Sequence, residues 1–237
     1  MRTAIVTGGS RGIGLAIAQA ILRDGGRVMI TGLDRARVDG AITELQTIAA
    51  ADRVAGAAVD VRDRAAVERL ISDTVARFGG FDTLVNNAGT GVFVDVAAMT
   101  DEEWHQVIDT NLTGVFYATR AAIPVLKRAG GGWIINIASL AGRNYFPKGA
   151  AYCASKAGVV AFSEVLMQEV RFDNIRVSCV MPGSVATDFA GLSSKTEDES
   201  WKLTPDDVAQ AVLDLLRHPS RSLPSRVEIR PAKTRGT

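Results

Sequence analysis

The chain has 237 residues and a formal net charge of +1, with 27 Lys and Arg against 26 Asp and Glu. That balance offers nothing to attract nucleic acid or an anionic membrane, and no run of about 18 uninterrupted apolar residues suggests a membrane-crossing helix, so neither partner is expected. The two cysteines, Cys153 and Cys179, have no C-x-x-C spacing, which points to a reducing, cytoplasmic setting and away from a disulfide framework.

Taken in chain order, short apolar runs alternate with longer helical patterns. Strands are expected at 4–7, 27–31, 54–59, 83–86, 133–138, 175–180 and 226–229, and helices at 13–24, 35–49, 64–78, 101–128, 151–171 and 205–217. The first strand begins so close to Met1 that no signal peptide fits before it. Ala4-Ile5-Val6 and Trp133-Ile134-Ile135 are apolar on successive residues, as strands covered on both faces must be. The expectation is a doubly wound α/β Rossmann fold: a mostly parallel seven-stranded sheet with helices on both faces, in one domain over 1–237. The two histidines, His105 and His218, fall in polar helical stretches, so no metal site is expected.

Ligands of such sheets bind beyond the carboxyl ends of the strands. There the sequence collects small and polar residues: Thr7-Gly8-Gly9-Ser10-Arg11-Gly12-Ile13-Gly14 after the first strand, Gly32-Leu33-Asp34 after the second and Asp60-Val61 after the third. Asn86-Asn87-Ala88-Gly89 follows the fourth, Ser139 the fifth and Pro182-Gly183 the sixth. Glycines between a strand and a helix permit positive φ and close approach of backbone to a pyrophosphate, and the helix start adds aligned N–H donors. Tyr152 and Lys156 are four apart on the fifth expected helix, and an ammonium beside a phenol is expected to lower the pKa of the phenol, making it a usable acid or base.

Thr7-Gly8-x-x-x-Gly12-Ile13-Gly14 with Asn86-Asn87-Ala88-Gly89 resembles the short-chain dehydrogenase/reductase superfamily, over about residues 2–188. Ser139 thirteen residues before Tyr152, Asn111 in Asn111-Leu112-Thr113-Gly114 and Lys156 complete the pattern. The resemblance implies hydride transfer between a nicotinamide cofactor and a carbonyl or secondary alcohol. Tyr152 would act as general acid/base, Lys156 would tune it and hold the nicotinamide ribose, Ser139 would bind the substrate oxygen, and Asn111 would hold a water linking Lys156 to solvent. The implied cofactor-binding set is Gly8, Ser10, Arg11, Gly12, Ile13, Gly14, Leu33, Asp60, Val61, Asn87, Ala88, Gly89, Tyr152, Lys156, Pro182, Gly183, Val185 and Thr187.

NADP(H) is expected ahead of NAD(H). Gly32 takes the place where NAD enzymes of the family carry an aspartate, and Arg11 offers a guanidinium for a 2′-phosphate. Leu33 and Asp34 pull toward NAD(H), and Arg35 and Arg37 either offset Asp34 or are solvated. Tyr145, Phe146, Val92 and Phe93 suggest an apolar substrate pocket with few charged anchors, and 189–203 reads as a mobile substrate lid. Much of the chain is similar to 3-oxoacyl-carrier-protein reductases, with Lys127, Arg128 and Arg171 as a conceivable patch for an acidic carrier. The ending Arg226-Val227-Glu228-Ile229-Arg230-Pro231 is more similar to small carbonyl and hydroxy-acid reductases. A non-catalytic nucleotide-sensing regulator would keep the glycine turn and lose Ser139, Tyr152 and Lys156, all present here. Apolar residues crowd 104–116 and 159–170 beyond one buried face, so a homodimer or homotetramer is expected.

Overall fold

In the computed structural model, which describes residues 1–189 and 199–233, the strands are β1 (Thr3–Val6), β2 (Arg27–Gly32), β3 (Val54–Ala58), β4 (Thr83–Asn86), β5 (Gly132–Ile137), β6 (Ile175–Pro182) and β7 (Arg226–Ile229). They form a seven-stranded sheet in the order β3-β2-β1-β4-β5-β6-β7, parallel at every pairing. The chain runs outward from β1 to β3, returns beside β1 as β4, and runs outward the other way. The order therefore reverses between β1 and β4, and a crevice opens there at the strand ends.

The helices are α1 (Gly12–Arg23), α2 (Arg35–Leu45), α3 (Arg64–Phe78), α4 (Asp101–Ile108), α5 (Gly114–Arg128), α6 (Ala150–Val170) and α7 (Pro205–Leu216). Successive residues of a strand point to opposite faces. Ala4 and Val6 of β1 pack with Ile17 and Ile21 of α1, Leu45 of α2 and Val212 of α7. Ile5, between them, packs with Leu70 of α3, Leu126 of α5 and Leu166 of α6. This two-sided burial is why the strands lack polar alternation.

Expected and observed elements correspond, with one difference. The expected 101–128 helix is α4 and α5 joined by a π-helical turn at Asp109–Thr113, whose wider winding turns Asn111 into the interior, where it is 1% exposed. A second point concerns α6 with its following turn, Ala150–Asp173, which is by length and composition apolar enough to cross a membrane although Lys156 and Glu164 interrupt its apolar run. Its apolar residues include Val159, Leu166 and Val170, all buried in the cores. Several residues expected on an oligomer face are likewise internal, Val107, Val115, Leu166 and Val170 among them, while Trp104, Phe116 and Val165 are exposed.

Of the expected 189–203 lid, 190–198 lies outside the described residues. Beyond it Leu203 forms a parallel bridge to Val185. A surface groove of about 460 Å³ between α3 and α5, lined by Ile71, Val75, Arg120, Pro124 and Arg128 among others, contains none of the candidate catalytic or cofactor-binding residues.

Candidate active site

The turn after β1 folds against the loop after β4. Gly8 has φ +63°, and a Cβ there would stand 2.9 Å from Ala88 Cα. A Cβ on Gly14 would stand 2.3 Å from the Gly8 carbonyl oxygen and 2.5 Å from Asn87 Nδ2, which only glycine permits. Asn87 Nδ2 donates to the carbonyls of Thr7 (3.0 Å) and Gly8 (3.1 Å), and Thr7 Oγ1 accepts from the amides of Asn87 and Ala88, both at 3.0 Å. Gly8 N donates to Thr31 Oγ1 at 3.3 Å. Helices α2, α3, α4 and α7 start under side-chain caps from Asp34, Asp63, Thr100 and Thr204. At α1 the N-cap is Arg11, which makes no such bond, so the first amides of α1 keep their donors for an anion.

The residues expected around an adenosine occupy the adjoining strand ends. A Cβ on Gly32 would meet Ser10 Oγ at 2.5 Å and Val38 Cγ2 at 3.1 Å, so a side chain there would have to displace those of Ser10 and Val38. Leu33 is 70% exposed. The Asp34 carboxylate accepts from the Arg37 amide as the cap of α2, and Arg35 pairs with Asp39 at 2.9 Å. Both are committed to the helix start. Arg11 Nη1 donates to the Asp188 carbonyl at 3.3 Å from an exposed position. Asp60 is held by Arg62 (2.6 Å), whose hydrogen bonds lower its pKa, and Val61 is buried against Gly114. Ile13 packs half-buried against the core.

Tyr152 and Lys156 lie on successive turns at the start of α6, and Ser139 follows β5. Ser139 Oγ accepts from the Ala141 amide at 3.1 Å and donates to the Pro182 carbonyl at 3.5 Å, and it lies near enough to the Tyr152 hydroxyl to influence its pKa. Burial pushes the Tyr152 phenol up and Ser139 opposes the rise. The expectation that Lys156 lowers this pKa does not describe the arrangement seen. Lys156 Nζ donates to the Ile137 carbonyl at 2.9 Å and is 5.8 Å from the centre of the Tyr152 ring, so desolvation of the phenol is the larger effect. Burial also brings Lys156 down to about 8.

Asn111 Oδ1 accepts from the Thr90 amide at 2.8 Å, and its Nδ2 donates to the Thr90 carbonyl (2.9 Å) and to Ser155 Oγ (3.0 Å). A Cβ on Gly89 would lie 3.3 Å from Asn111 Oδ1 and 3.6 Å from Lys156 Nζ, so the three meet at one point. Pro182 ends β6, Gly183 N donates to the Ile229 carbonyl at 2.8 Å, and Thr187 Cγ2 lies 3.4 Å from the Cβ position of Gly12. The structure thus brings all four candidate catalytic residues and both glycine-bearing loops to the crevice between β1, β4 and β5. Thr90 was expected near the substrate pocket, but the bonds that Thr90, Ser155 and the Ile137 carbonyl make were not foreseen. Each acts through a partner 19 to 44 residues away, and no local pattern signals such a contact.

The sequence matches the short chain dehydrogenase family over residues 2–198, and the chain belongs to that family; it is an oxidoreductase acting on CH–OH or carbonyl groups. It is 36% identical over 234 residues to the 3-oxoacyl-[acyl-carrier-protein] reductase FabG of Chlamydia muridarum, covering 95% of this chain and 94% of the relative. It is 33% identical over 222 residues to a 3alpha-hydroxysteroid dehydrogenase of Mediterraneibacter gnavus, covering 90% and 89%. Among solved structures it resembles an alcohol dehydrogenase of the archaeon Thermococcus sibiricus complexed with 5-hydroxy-NADP, with a TM-score of 0.90 and 31% identity, covering 100% of this chain and 99% of that one. Relatives of similar identity thus bear names for a carrier-bound acyl group, a steroid and an alcohol, so family membership leaves the substrate open.

Proposed function

We propose that the chain is an NADP(H)-dependent reductase that interconverts a ketone and a secondary alcohol in the cytoplasm, working as one nucleotide-binding domain within a homodimer or homotetramer. The observation that carries this reading is the meeting of the Ser139 and Tyr152 hydroxyls above a buried lysine, next to a glycine cradle that added Cβ atoms would fill. Gly8, Gly12, Gly14 and the uncapped start of α1 suit a pyrophosphate, Asp60 and Val61 an adenine, and Arg11 a 2′-phosphate. The 5-hydroxy-NADP complex of the similar alcohol dehydrogenase supports the same cofactor.

A nicotinamide held in this cradle would supply or take up the hydride. Tyr152, kept protonated by burial, gives its proton to the carbonyl oxygen as negative charge grows there, and Ser139 donates a hydrogen bond to the same oxygen. Lys156 carries three N–H donors and spends one on Ile137, which leaves donors for the nicotinamide ribose and a positive charge beside Tyr152. Asn111 holds Thr90 and Ser155 in place and fixes the floor on which Lys156 rests.

A second reading, reduction of a 3-oxoacyl group on a carrier protein, is favoured by the identity to the chlamydial reductase over nearly the whole chain. Against a ready basic patch, Lys127 is paired with Asp173 at 2.8 Å. The test is a panel of small ketones and a 3-oxoacyl carrier-protein thioester, each with NADPH and NADH, followed by cofactor absorbance. Faster turnover of free ketones supports the first reading, and turnover confined to the thioester replaces it with the second.

A further inference from the structure

Tyr152 faces an unusual density of aromatic rings. Phe93 stands edge-on to it, with centroids 5.6 Å apart and planes at 62°. Phe189 lies 5.6 Å from it on another side, and Phe146 extends the wall from Phe93 at 5.9 Å. These rings come from three separate segments, and each seats over a glycine. A Cβ on Gly91 would stand 2.8 Å from Phe93 and 3.1 Å from Phe189, and one on Gly149 would stand 2.6 Å from Phe146. The backbone has therefore been pared back where the rings approach. Phe146 is 43% exposed and the neighbouring Tyr145 71% exposed, so aromatic surface is left open at the mouth.

Charge around the wall is already spent. Arg143 and Arg230 both bind Glu228, at 2.8 and 2.9 Å, and Lys148 lies 4.0 Å from Asp95. Among the described residues, Arg143, Arg230 and Lys148 are thus turned to protein carboxylates, and a substrate carboxylate or phosphate would have to compete with them while losing its hydration.

We propose that the substrates are neutral aryl ketones and their alcohols, with the substrate ring seated among Phe93, Phe146 and Phe189 and its carbonyl turned to Tyr152 and Ser139. This rests on the ketone-reductase reading of the same site. Edge and offset contacts between rings add attraction beyond the apolar area that a saturated ring would also bury.

The test compares kcat/KM for acetophenone, cyclohexyl methyl ketone and phenylglyoxylate in the wild type, in Phe93→Leu and Phe189→Leu, and in Phe172→Leu as a control, since Phe172 is 90% exposed outside the wall. Intrinsic carbonyl reactivity cancels when the aryl-to-cyclohexyl ratio of a variant is divided by that of the wild type. The expected result is a ratio lowered about threefold to tenfold in Phe93→Leu and Phe189→Leu, unchanged in Phe172→Leu, and poor use of the carboxylate. Competitive inhibition by benzamide and cyclohexanecarboxamide, which are not reduced, gives a binding readout and should show the same loss of aryl preference. An unchanged ratio in both wall variants, or a preference for phenylglyoxylate, overturns the aryl class while ketone reduction stands. Absence of turnover for every ketone and alcohol, with NADPH bound, overturns both.

Discussion

At the residue scale the chemistry depends on two groups whose burial moves their pKa values in opposite directions, Tyr152 up and Lys156 down. Tyr152→Phe keeps the ring and removes the proton. It should lower kcat by about 100-fold or more while NADPH affinity, read by nucleotide fluorescence, stays within about twofold. Near-normal turnover in that variant would refute the assignment of Tyr152. Lys156 carries a stability cost that the site imposes. Its folded pKa of about 8 lies below the ordinary lysine value of 10.5, so the unfolded chain holds the proton more tightly, and wild-type stability rises with pH between those values. Lys156→Met should therefore be inactive yet more stable by about 1–3 kcal/mol at neutral pH, the unpaired Ile137 carbonyl offsetting part of the gain. Urea denaturation at several pH values should show the advantage in full below about pH 8 and shrinking toward pH 10.5. A pH-independent difference would mean that the lysine is not penalised by burial.

At the element scale, the π turn between α4 and α5 matters most. An unbroken α-helix would aim position 111 differently. As wound, Asn111 ties this helix to the loop after β4 through both Thr90 backbone groups and to α6 through Ser155. Asn111→Leu removes the partner of the Thr90 amide and carbonyl, while Ser155 Oγ keeps its bond to the Tyr152 carbonyl, and should cost about 1–3 kcal/mol of unfolding free energy, measured by chemical denaturation. The same variant should raise KM for the ketone as the Thr90 loop shifts. A loss of activity with unchanged stability would assign Asn111 to chemistry alone. The sequence placed this helix correctly but showed no bulge, because Asp109-Thr110-Asn111-Leu112-Thr113 contains no Gly or Pro to mark one. The turn is selected by what Asn111 reaches.

At the scale of the whole molecule, cofactor choice depends on residues from distant segments. Ser10 and Val38 crowd Gly32, and Asp34 is tied to α2, so no carboxylate is free to hold both ribose hydroxyls. Arg11→Ala should lower the NADPH-to-NADH ratio of kcat/KM by about tenfold; an unchanged ratio would shift the selectivity to Arg37 or to backbone. Trp104, Phe116 and Val165 remain exposed although their neighbours are buried, and light scattering at micromolar concentration should report a dimer or tetramer, with a monomer contradicting that assembly.

The sequence by itself determined the alternation of strands and helices, the two-sided burial of the sheet and the edge at which Gly8, Asn87, Ser139 and Tyr152 gather, because each depends on near neighbours: residue period, glycine at a tight turn, or a pair four apart on a helix. Only the tertiary structure decided that Lys156 bonds Ile137, that Asn111 bonds Thr90, and that Phe93, Phe146 and Phe189 close around Tyr152. Those contacts join loops at the ends of different strands. A sequence period fixes which face of its own element a residue occupies, whereas sheet order and loop paths determine which distant backbone group or ring that face meets.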